Sequence, residues 1–279
     1  MWSDYHIHSV FCDGKSTHAE LVARGEAIGL RSMGFASHGP VPFPCGWCMP
    51  IQKLDEYVEG IRALDRTSPV EVYAGLEIDF IPGKVGPAEF REKLDYTIGS
   101  IHFVDAFDGK DWEADNTLPM FKEGLEKVFD NDIRRAVTRY FELMRQMMAT
   151  SRPDIVAHMD RIKVHNQKEF FFDENESWFR DEVSATLEAA AQYGVMVEVN
   201  TRGLYKKRSV ETYPGPFGIT RIAELNIPVM LASDAHHTDD LTGLFPEVIG
   251  QLRSAGIRNL VRLEHGKWTE VPLEMFVKD

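Results

Sequence analysis

The sequence has few cysteines, no long apolar run and no secretion signal. Three cysteines are an odd count, so a disulfide framework is not expected and a reducing cytoplasm fits. The longest strongly apolar stretch, residues 227–232, is far too short to span a bilayer. The first residues, MWSDYHIHSV, contain neither a basic nor an apolar signal segment. We therefore expect a cytoplasmic protein with no membrane partner.

Basic residues are also scarce relative to acidic ones. The sequence has 31 Lys and Arg against 44 Asp and Glu, which gives a formal net charge of −13. Binding to nucleic acid regardless of sequence needs a surplus of basic residues, so we expect no nucleic-acid partner. A small molecule is the expected partner, and the composition does not indicate an oligomeric state.

Two of the three cysteines, Cys45 and Cys48, form a Cys-x-x-Cys pair in the segment PFPCGWCMP. A zinc knuckle needs a second pair of cysteines, which the sequence lacks. A redox motif of the thioredoxin type lies at the start of a helix, and this pair does not. We interpret the segment as an ordinary loop.

Short apolar runs of strand character alternate with segments of helical periodicity, which is typical of βαβ units around a parallel sheet. A capping box, Thr17-x-x-Glu20, predicts the start of the first helix. No linker or low-complexity stretch divides the pattern, so we predict a single domain over residues 1–279. The predicted strands are 2–7, 32–36, 70–78, 96–101, 154–157, 195–199 and 227–232, and the later helices are 51–64, 120–148, 177–193, 218–225 and 241–255.

Almost every predicted strand ends in His, Asp or Glu. Chemistry gathered from the C-terminal ends of many strands is typical of a (β/α) barrel. An open doubly wound sheet usually begins with a glycine-rich phosphate loop, which the first strand lacks. We therefore favour an α/β barrel of seven strands over the open sheet.

These strand-end residues have the composition of a metal site. Residues two apart in an extended segment point the same way, so His6 and His8 converge, as do Asp234 and His236. Zn²⁺, Mn²⁺ and Fe²⁺ accept imidazole and carboxylate ligands. A single histidine beside an apolar run is more often an ordinary core residue, but all seven predicted strands have a histidine or a carboxylate at or just after their end. The full set is His6, His8, His38, Glu77, Asp79, His102, His158, Glu198, Asn200, Asp234 and His236.

Some residues keep a plainer interpretation. Glu198 either supports a metal ligand or faces a neighbouring lysine. His18, His165, His237 and His265 are interpreted as ordinary histidines.

The motifs resemble those of the polymerase and histidinol phosphatase (PHP) superfamily. They are His6-Ile7-His8, Asp13-Gly14, His38, Gly75-Leu76-Glu77, Ser100-Ile101-His102, Ala157-His158 and Ser233-Asp234-Ala235-His236. The resemblance covers nearly the whole chain. It implies a distorted TIM-like (β/α)7 barrel with a trinuclear metal centre at the C-terminal ends of the strands.

The resemblance also implies a ligand set for three divalent ions, which are Zn, Mn or Fe. It places His6, His8, Glu77 and Asp234 on one ion, Glu77 with His102 and His158 on a second, and Asp13, His38 and His236 on a third. Some family members have a histidine near the position of Asp13.

Outside these ligands, the runs HMDRIK and NTRGLY resemble the histidinol-phosphatase branch, which acts in histidine biosynthesis. Arg161 and Arg202 lie in loops on the face of the strand ends, where arginines can clamp a phosphate. Glu113, in the long loop over residues 103–117, is our candidate for the imidazole or ammonium group of histidinol phosphate. The expected chemistry is in-line attack by a water that is ionised between the ions held by Glu77. No residue is assigned as the general acid.

Three alternatives stay open. One is another PHP phosphoesterase, acting on nucleotides. A second is an amidohydrolase-type two-metal barrel, although such a barrel uses a lysine to bridge its metals and this sequence has Glu77 at the corresponding strand end. The third is a non-catalytic PHP module, against which the apparently intact ligand set argues.

Overall fold

The structure is a computed structural model, and it describes residues 1–167 and 170–276. Within these residues, no helix is both long and apolar enough to cross a membrane. The strands are β1 Ser3–Ile7, β2 Ser32–Phe35, β3 Glu71–Asp79, β4 Tyr96–Ser100, β5 Phe103–Phe107, β6 Lys110–Glu113, β7 Ile155–Val156, β8 Met196–Asn200, β9 Val229–Ala232, β10 Asn259–Glu264 and β11 Lys267–Pro272. The α-helices are α1 His18–Ala27, α2 Leu54–Asp65, α3 Leu118–Phe129, α4 Ile133–Thr150, α5 Ser177–Tyr193, α6 Arg202–Tyr205, α7 Pro216–Leu225 and α8 Phe245–Ser254.

Seven parallel strands form one sheet in the order β1-β2-β3-β4-β7-β8-β9. The sheet curls until its two edges meet just beyond β1 and β9. There the His8 amide donates to the Ala235 carbonyl at 2.7 Å, and the Ala235 amide donates to the His6 carbonyl at 3.1 Å. The prediction of a seven-stranded barrel is confirmed, and the barrel is nearly closed.

Side chains from six of the barrel strands fill the interior as a buried apolar cluster. Tyr96 is a large member of it, and its hydroxyl donates to the carbonyls of Tyr5 at 2.6 Å and Phe35 at 3.0 Å. Gly34 and Gly75 lie directly against this ring, where a Cβ atom at either position would collide with it. Because strand residues alternate in direction, the same inward face continues upward from this apolar cluster to the polar strand ends.

The antiparallel hairpin of β10 and β11 covers the N-terminal end of the barrel. The Tyr5 hydroxyl accepts from the Leu263 amide at 2.9 Å, and Trp268 packs edge-to-face against Tyr5 and Tyr96. The sequence patterns did not predict this hairpin. Its position leaves the C-terminal end of the barrel for the polar residues.

The predicted start of the first helix is confirmed. The Thr17 side chain accepts from the Glu20 amide at 3.3 Å, and the Glu20 carboxylate accepts from the Thr17 amide at 2.8 Å. The prediction of one helix over residues 120–148 was wrong, because α3 and α4 are separate. Asp130 and Asn131 between them have left-handed backbone angles, φ 54° and 62°, which end a right-handed helix.

The segment after β4 was predicted as a long loop, and it contains the hairpin of β5 and β6 instead. Phe107 pairs with Lys110, so Asp108 and Gly109 form a two-residue turn. Both turn residues have positive φ, 50° and 76°. Asp-Gly is a strong signal for such a turn, and the sequence interpretation overlooked it.

The segment of Cys45 and Cys48 contains neither helix nor strand, as the interpretation of a loop implied, but the expectation that its cysteines form no disulfide was wrong. The structure joins the two cysteines in a disulfide, with Cα atoms 5.4 Å apart. That separation lies within the range that a disulfide can bridge. The pair therefore closes a short ring of chain around Gly46 and Trp47.

Candidate metal centre

The C-terminal end of the barrel brings together the nine residues that the sequence assigned to metals. Some lie on the strands themselves, such as His6 on β1 and Glu77 on β3, and the others follow a strand. Three overlapping groups have ligand atoms close enough to hold an ion: His6, His8 and Glu77; His38, Glu77 and His102; and His8, Asp13, His38 and His236.

Glu77 lies at the centre of this arrangement, almost fully buried. Five imidazoles surround its two carboxylate oxygens: His38, His6 and His8 at 2.9, 3.2 and 3.5 Å from Oε2, and His158 and His102 at 2.8 and 3.5 Å from Oε1. Each oxygen therefore faces a different set of histidines. A carboxylate in this position can bridge two ions.

The remaining three assigned residues lie to one side of Glu77. His236 Nε2 is 3.1 Å from Asp13 Oδ2, and His38 Nε2 is 3.8 Å from Asp13 Oδ1. Asp234 Oδ1 is 3.3 Å from His8 Nε2, which links this side to β1. Asp234 itself has a left-handed backbone, with φ 54°, that turns its side chain toward the cluster.

Buried polar atoms without a hydrogen bond test whether this cluster fits a metal. Among the described residues, several such atoms belong to the cluster: His6 Nε2, His8 Nε2, Asp13 Oδ1, His38 Nδ1, Glu77 Oε2 and His158 Nδ1. Three of them, His6 Nε2, His8 Nε2 and His38 Nδ1, lie within 3.5 Å of Glu77 Oε2 without hydrogen-bonding geometry. A buried polar atom without a partner is costly, and a shared cation removes that cost. The residues fit a site for divalent ions.

The electrostatics of the cluster also demand positive charge. Burial raises the pKa of Glu77, but the charges of His38, His6 and His102 outweigh it and hold that pKa well below the ordinary value. Burial lowers the pKa of His102, but the neighbouring carboxylates of Asp79, Asp115 and Glu77 raise it to about 10. The carboxylates therefore stay ionised and attract cations.

Two further buried carboxylates orient the histidines. Glu198 Oε2 lies 2.8 Å from His6 Nδ1, and Glu198 Oε1 accepts from the His158 amide at 3.0 Å. Asp79 lies 3.1 Å from His102 Nδ1 and accepts from the His102 amide at 2.8 Å. A carboxylate that binds one ring nitrogen leaves the other nitrogen for a metal. Glu198 therefore orients a proposed metal ligand and, among the residues that the structure describes, does not face a lysine. Its hydrogen-bond partners are His6, His158 and Asn200.

A cavity of about 190 Å³ opens above the cluster. Arg161, Arg202 and Glu113, the three residues that the sequence proposed for the substrate, all line it. Four further residues line the cavity and were not among the predicted site residues: Trp47, Asp115, Asn116 and Arg208.

Both candidate phosphate arginines lie against the cluster. Arg161 donates through Nε to Asp115, and its Nη1 is 3.8 Å from Asp234 Oδ2. Burial raises the pKa of Asp115, but Arg161 and His102 lower it to about 2. Arg202 donates through Nη1 to the Asp234 carbonyl at 2.5 Å, and the same atom is 2.7 Å from His236 Nδ1. Both guanidinium groups therefore line the cavity beside the cluster.

Glu113 lies at the end of β6 and accepts hydrogen bonds from Trp47 Nε1 at 3.1 Å and from Asn116 Nδ2. Trp112, its neighbour in the sequence, points away and donates to the Met120 carbonyl at 3.2 Å. The aromatic residue beside Glu113 is thus Trp47, which is 66 positions away. No local signal in the sequence connects the two.

Comparisons with known proteins agree with this geometry. The probable histidinol-phosphatase of Deinococcus radiodurans is 29% identical over 277 residues, covering 95% of this chain and 97% of that protein. The histidinol-phosphatase of Bacillus subtilis is 25% identical over 264 residues, covering 85% of this chain and 94% of that protein.

The structure of histidinol phosphate phosphatase from Lactococcus lactis, complexed with Zn, L-histidinol and phosphate, has the same fold. It superimposes with a TM-score of 0.69 at 17% identity, covering 96% of this chain and 98% of that chain. A family model described as the PHP domain matches residues 4–202. Since this match spans more than half of the sequence and includes most of the strand-end residues described above, the chain belongs to the PHP family.

Proposed function

We propose that this protein is a metal-dependent phosphomonoesterase that hydrolyses L-histidinol phosphate to L-histidinol and phosphate, a step of histidine biosynthesis. The proposal rests on one observation: Glu77, surrounded by five imidazoles, lines the same cavity as Arg161, Arg202 and Glu113. The names of the relatives support the choice of substrate.

The proposed metal ligands are the nine strand-end residues: His6, His8, Asp13, His38, Glu77, His102, His158, Asp234 and His236. We propose three ions, with Glu77 shared between two of them. When bound, divalent ions neutralise the phosphate oxygens and lower the pKa of the attacking water. The nine residues would hold the ions at fixed positions at the strand ends.

The proposed phosphate ligands are Arg161 and Arg202. Asp115 holds the Arg161 guanidinium beside Asp234, so its orientation is fixed before a substrate arrives. A preorganised charge of this kind stabilises the transition state more than a mobile one. Arg202 lies against His236, and its Nη1 is 3.7 Å from the other carboxylate oxygen of Asp234.

The proposed ligand for the organic end of the substrate is Glu113. Histidinol phosphate has an ammonium group and an imidazole, both of which donate hydrogen bonds. Glu113 faces the same cavity as the arginines. A site built around polar partners discriminates strongly against molecules that lack them, because its own groups are then left unpaired.

A phosphate-release assay on the metal-loaded protein tests the proposal. The panel is histidinol phosphate, nucleoside monophosphates and p-nitrophenyl phosphate, and we expect the highest kcat/KM for histidinol phosphate. A preference for a nucleotide would assign the chain to another PHP phosphoesterase. No release from any ester, with metal bound, would indicate a non-catalytic PHP module.

Glu113→Gln tests the specificity within the same assay. We expect kcat/KM for histidinol phosphate to fall by at least about tenfold, roughly 1.4 kcal/mol, with little change for p-nitrophenyl phosphate. Glu176→Gln is the matched control, because Glu176 also accepts from an indole N–H, that of Trp178 at 2.6 Å, and lies outside the lining of the cavity. Equal losses on both substrates would place Glu113 in the chemical step or the fold.

A further inference from the structure

Trp47 is a residue of the cavity that neither the sequence motifs nor the proposed mechanism uses. It is half-buried, lines the cavity, and lies between the two cysteines of the disulfide. We propose that Trp47 determines the specificity for the organic end of the substrate, as an aromatic wall that also fixes Glu113. This inference rests on the proposed function, whose substrate it concerns.

The indole ring is held from several directions. Phe103 of β5 stacks on it, with ring centroids 5.4 Å apart and planes at 10°. His38 and His102 meet it nearly at right angles, with centroids at 4.6 and 5.4 Å. The disulfide of Cys45 and Cys48 closes the chain around it. The ring therefore has one defined position beside two proposed metal ligands.

The hydrogen bonds to Glu113 leave one of its oxygens for a ligand. Trp47 Nε1 and Asn116 Nδ2 both donate to Oε2 of Glu113. A carboxylate can accept about four hydrogen bonds, and Oε1 accepts none from the residues that the structure describes, so it is available to a bound molecule. Trp47 and Asn116 together thus fix the orientation of the Glu113 carboxylate.

The chemistry of this corner suits a flat or cationic nitrogen group. An indole face attracts a cation within about 6 Å of its centroid, and Glu113 accepts from an N–H beside it. An imidazolium or ammonium group attached to the phosphate ester satisfies both contacts. A phosphate ester without such a group makes neither.

Two substitutions of Trp47 separate the contributions. Trp47→Phe removes the N–H donor and keeps an aromatic ring, and Trp47→Leu removes both. We expect Trp47→Phe to raise KM for histidinol phosphate about tenfold, roughly 1.4 kcal/mol, with kcat changed less than threefold. Trp47→Leu is expected to raise it further. Hydrolysis of p-nitrophenyl phosphate stays within threefold in both, which also reports that the variants fold and hold metal.

Trp178→Phe is the matched control. It removes the hydrogen bond from the Trp178 indole N–H to the Glu176 carboxylate, and neither residue lines the cavity. It is expected to leave both substrates unchanged. The double variant Trp47→Phe with Glu113→Gln tests the route of the effect. If Trp47 acts by fixing Glu113, adding Trp47→Phe to Glu113→Gln changes KM by less than about threefold.

The outcomes distinguish this inference from the proposed function. If the wild-type protein hydrolyses histidinol phosphate and both Trp47 variants keep the wild-type ratio of the two substrates, the inference alone is overturned. Equal losses on both substrates overturn it too, because they indicate a structural role. If the wild-type protein does not hydrolyse histidinol phosphate, the proposed function fails and the inference fails with it.

Discussion

The candidate site has two sides that are built differently. One side, here called the metal floor, consists of His6, His8, Glu77, His102 and His158. Each of these is less than 5% exposed and lies on a barrel strand or within two residues of its end. The other side, here called the loop wall, consists of Trp47, Glu113, Asp115 and Arg161, which lie on segments outside the barrel strands.

The two sides differ in what holds their residues in place. The backbone hydrogen bonds of a parallel barrel fix the metal floor, together with the carboxylates of Glu198 and Asp79. Contacts between loops fix the loop wall, such as Trp47 with Glu113 and Asp115 with Arg161. We infer that the floor performs the chemistry shared by the family, whereas the wall holds the phosphate through Arg161 and selects the organic end of the substrate through Trp47 and Glu113.

Removal of the metals is expected to have the largest effect. Strong chelation should abolish phosphatase activity and leave the far-UV circular dichroism spectrum nearly unchanged, because the apolar interior packs independently of the strand ends. Spectra and activity are measured before and after chelation and after zinc, manganese or iron is added back. Global unfolding on chelation would show that the floor also holds the fold together.

Glu77→Gln should have the next largest effect. If Glu77 bridges two ions as proposed, its loss removes several kcal/mol of transition-state stabilisation, so we expect kcat/KM to fall about a thousandfold or more. Metal analysis should show fewer ions per chain than in the wild type. The control is Glu182→Gln. The Glu182 carboxylate pairs with Arg145 at 2.7 Å, and neither residue lines the cavity. Full metal content with near-normal turnover would contradict a bridging role.

Arg161→Met tests the loop wall where it meets the phosphate. We expect kcat/KM to fall by about two to three powers of ten on every phosphate ester, with metal content unchanged. The control is Arg145→Met, which removes a partly buried guanidinium that pairs with Glu182 outside the cavity lining. If kcat/KM changes by less than about threefold, below roughly 1 kcal/mol, Arg161 only forms an ordinary ion pair with Asp115.

Glu198→Gln and Asp79→Asn test the support beneath the metal floor. Each keeps the size of the side chain but removes the charge that orients a histidine. We expect metal affinity or activity to fall by about 10- to 100-fold. Metal titration of each variant measures it. Unchanged affinity would mean that the barrel backbone alone orients His6 and His102.

The smallest effect is expected when both cysteines of the disulfide are replaced, Cys45→Ser with Cys48→Ser. Phe103 and Glu113 still hold Trp47, so kcat/KM for histidinol phosphate should fall by less than about threefold, under roughly 1 kcal/mol. Metal content and hydrolysis of p-nitrophenyl phosphate should not change. A loss of bound metal would connect this loop to the floor and break the distinction between the two sides.

The metal floor was predictable because its residues obey short-range rules. His6 and His8 are two residues apart at a strand end, and residues with that spacing point the same way. Parallel strands in a barrel bring their C-terminal ends to one face, so the predicted strands already implied that Glu77, His102 and His158 would meet. The motifs that resemble the PHP superfamily added the partition among ions, which stays a prediction.

The loop wall was only partly predictable. Glu113 and Arg161 were selected because they follow barrel strands on the expected face, but their partners were not foreseen. Asp115 is 46 positions from Arg161, and no pattern of period two or 3.6 connects them. Two local signals were misread: the Asp-Gly turn of the hairpin between β5 and β6, and the Cys-x-x-Cys pair.

The sequence by itself determined the seven-stranded barrel, the alternation that places histidines and carboxylates at the strand ends, and the family. The first two depend on local periodicity and on the way parallel strands must connect, whereas the family follows from the resemblance of the motifs. Only the tertiary structure decided that Glu77 has five imidazole neighbours, that Glu198 faces His6, and that Trp47 meets Glu113. Such contacts join side chains distant in sequence, and their partners are set by how the packed elements bring them together.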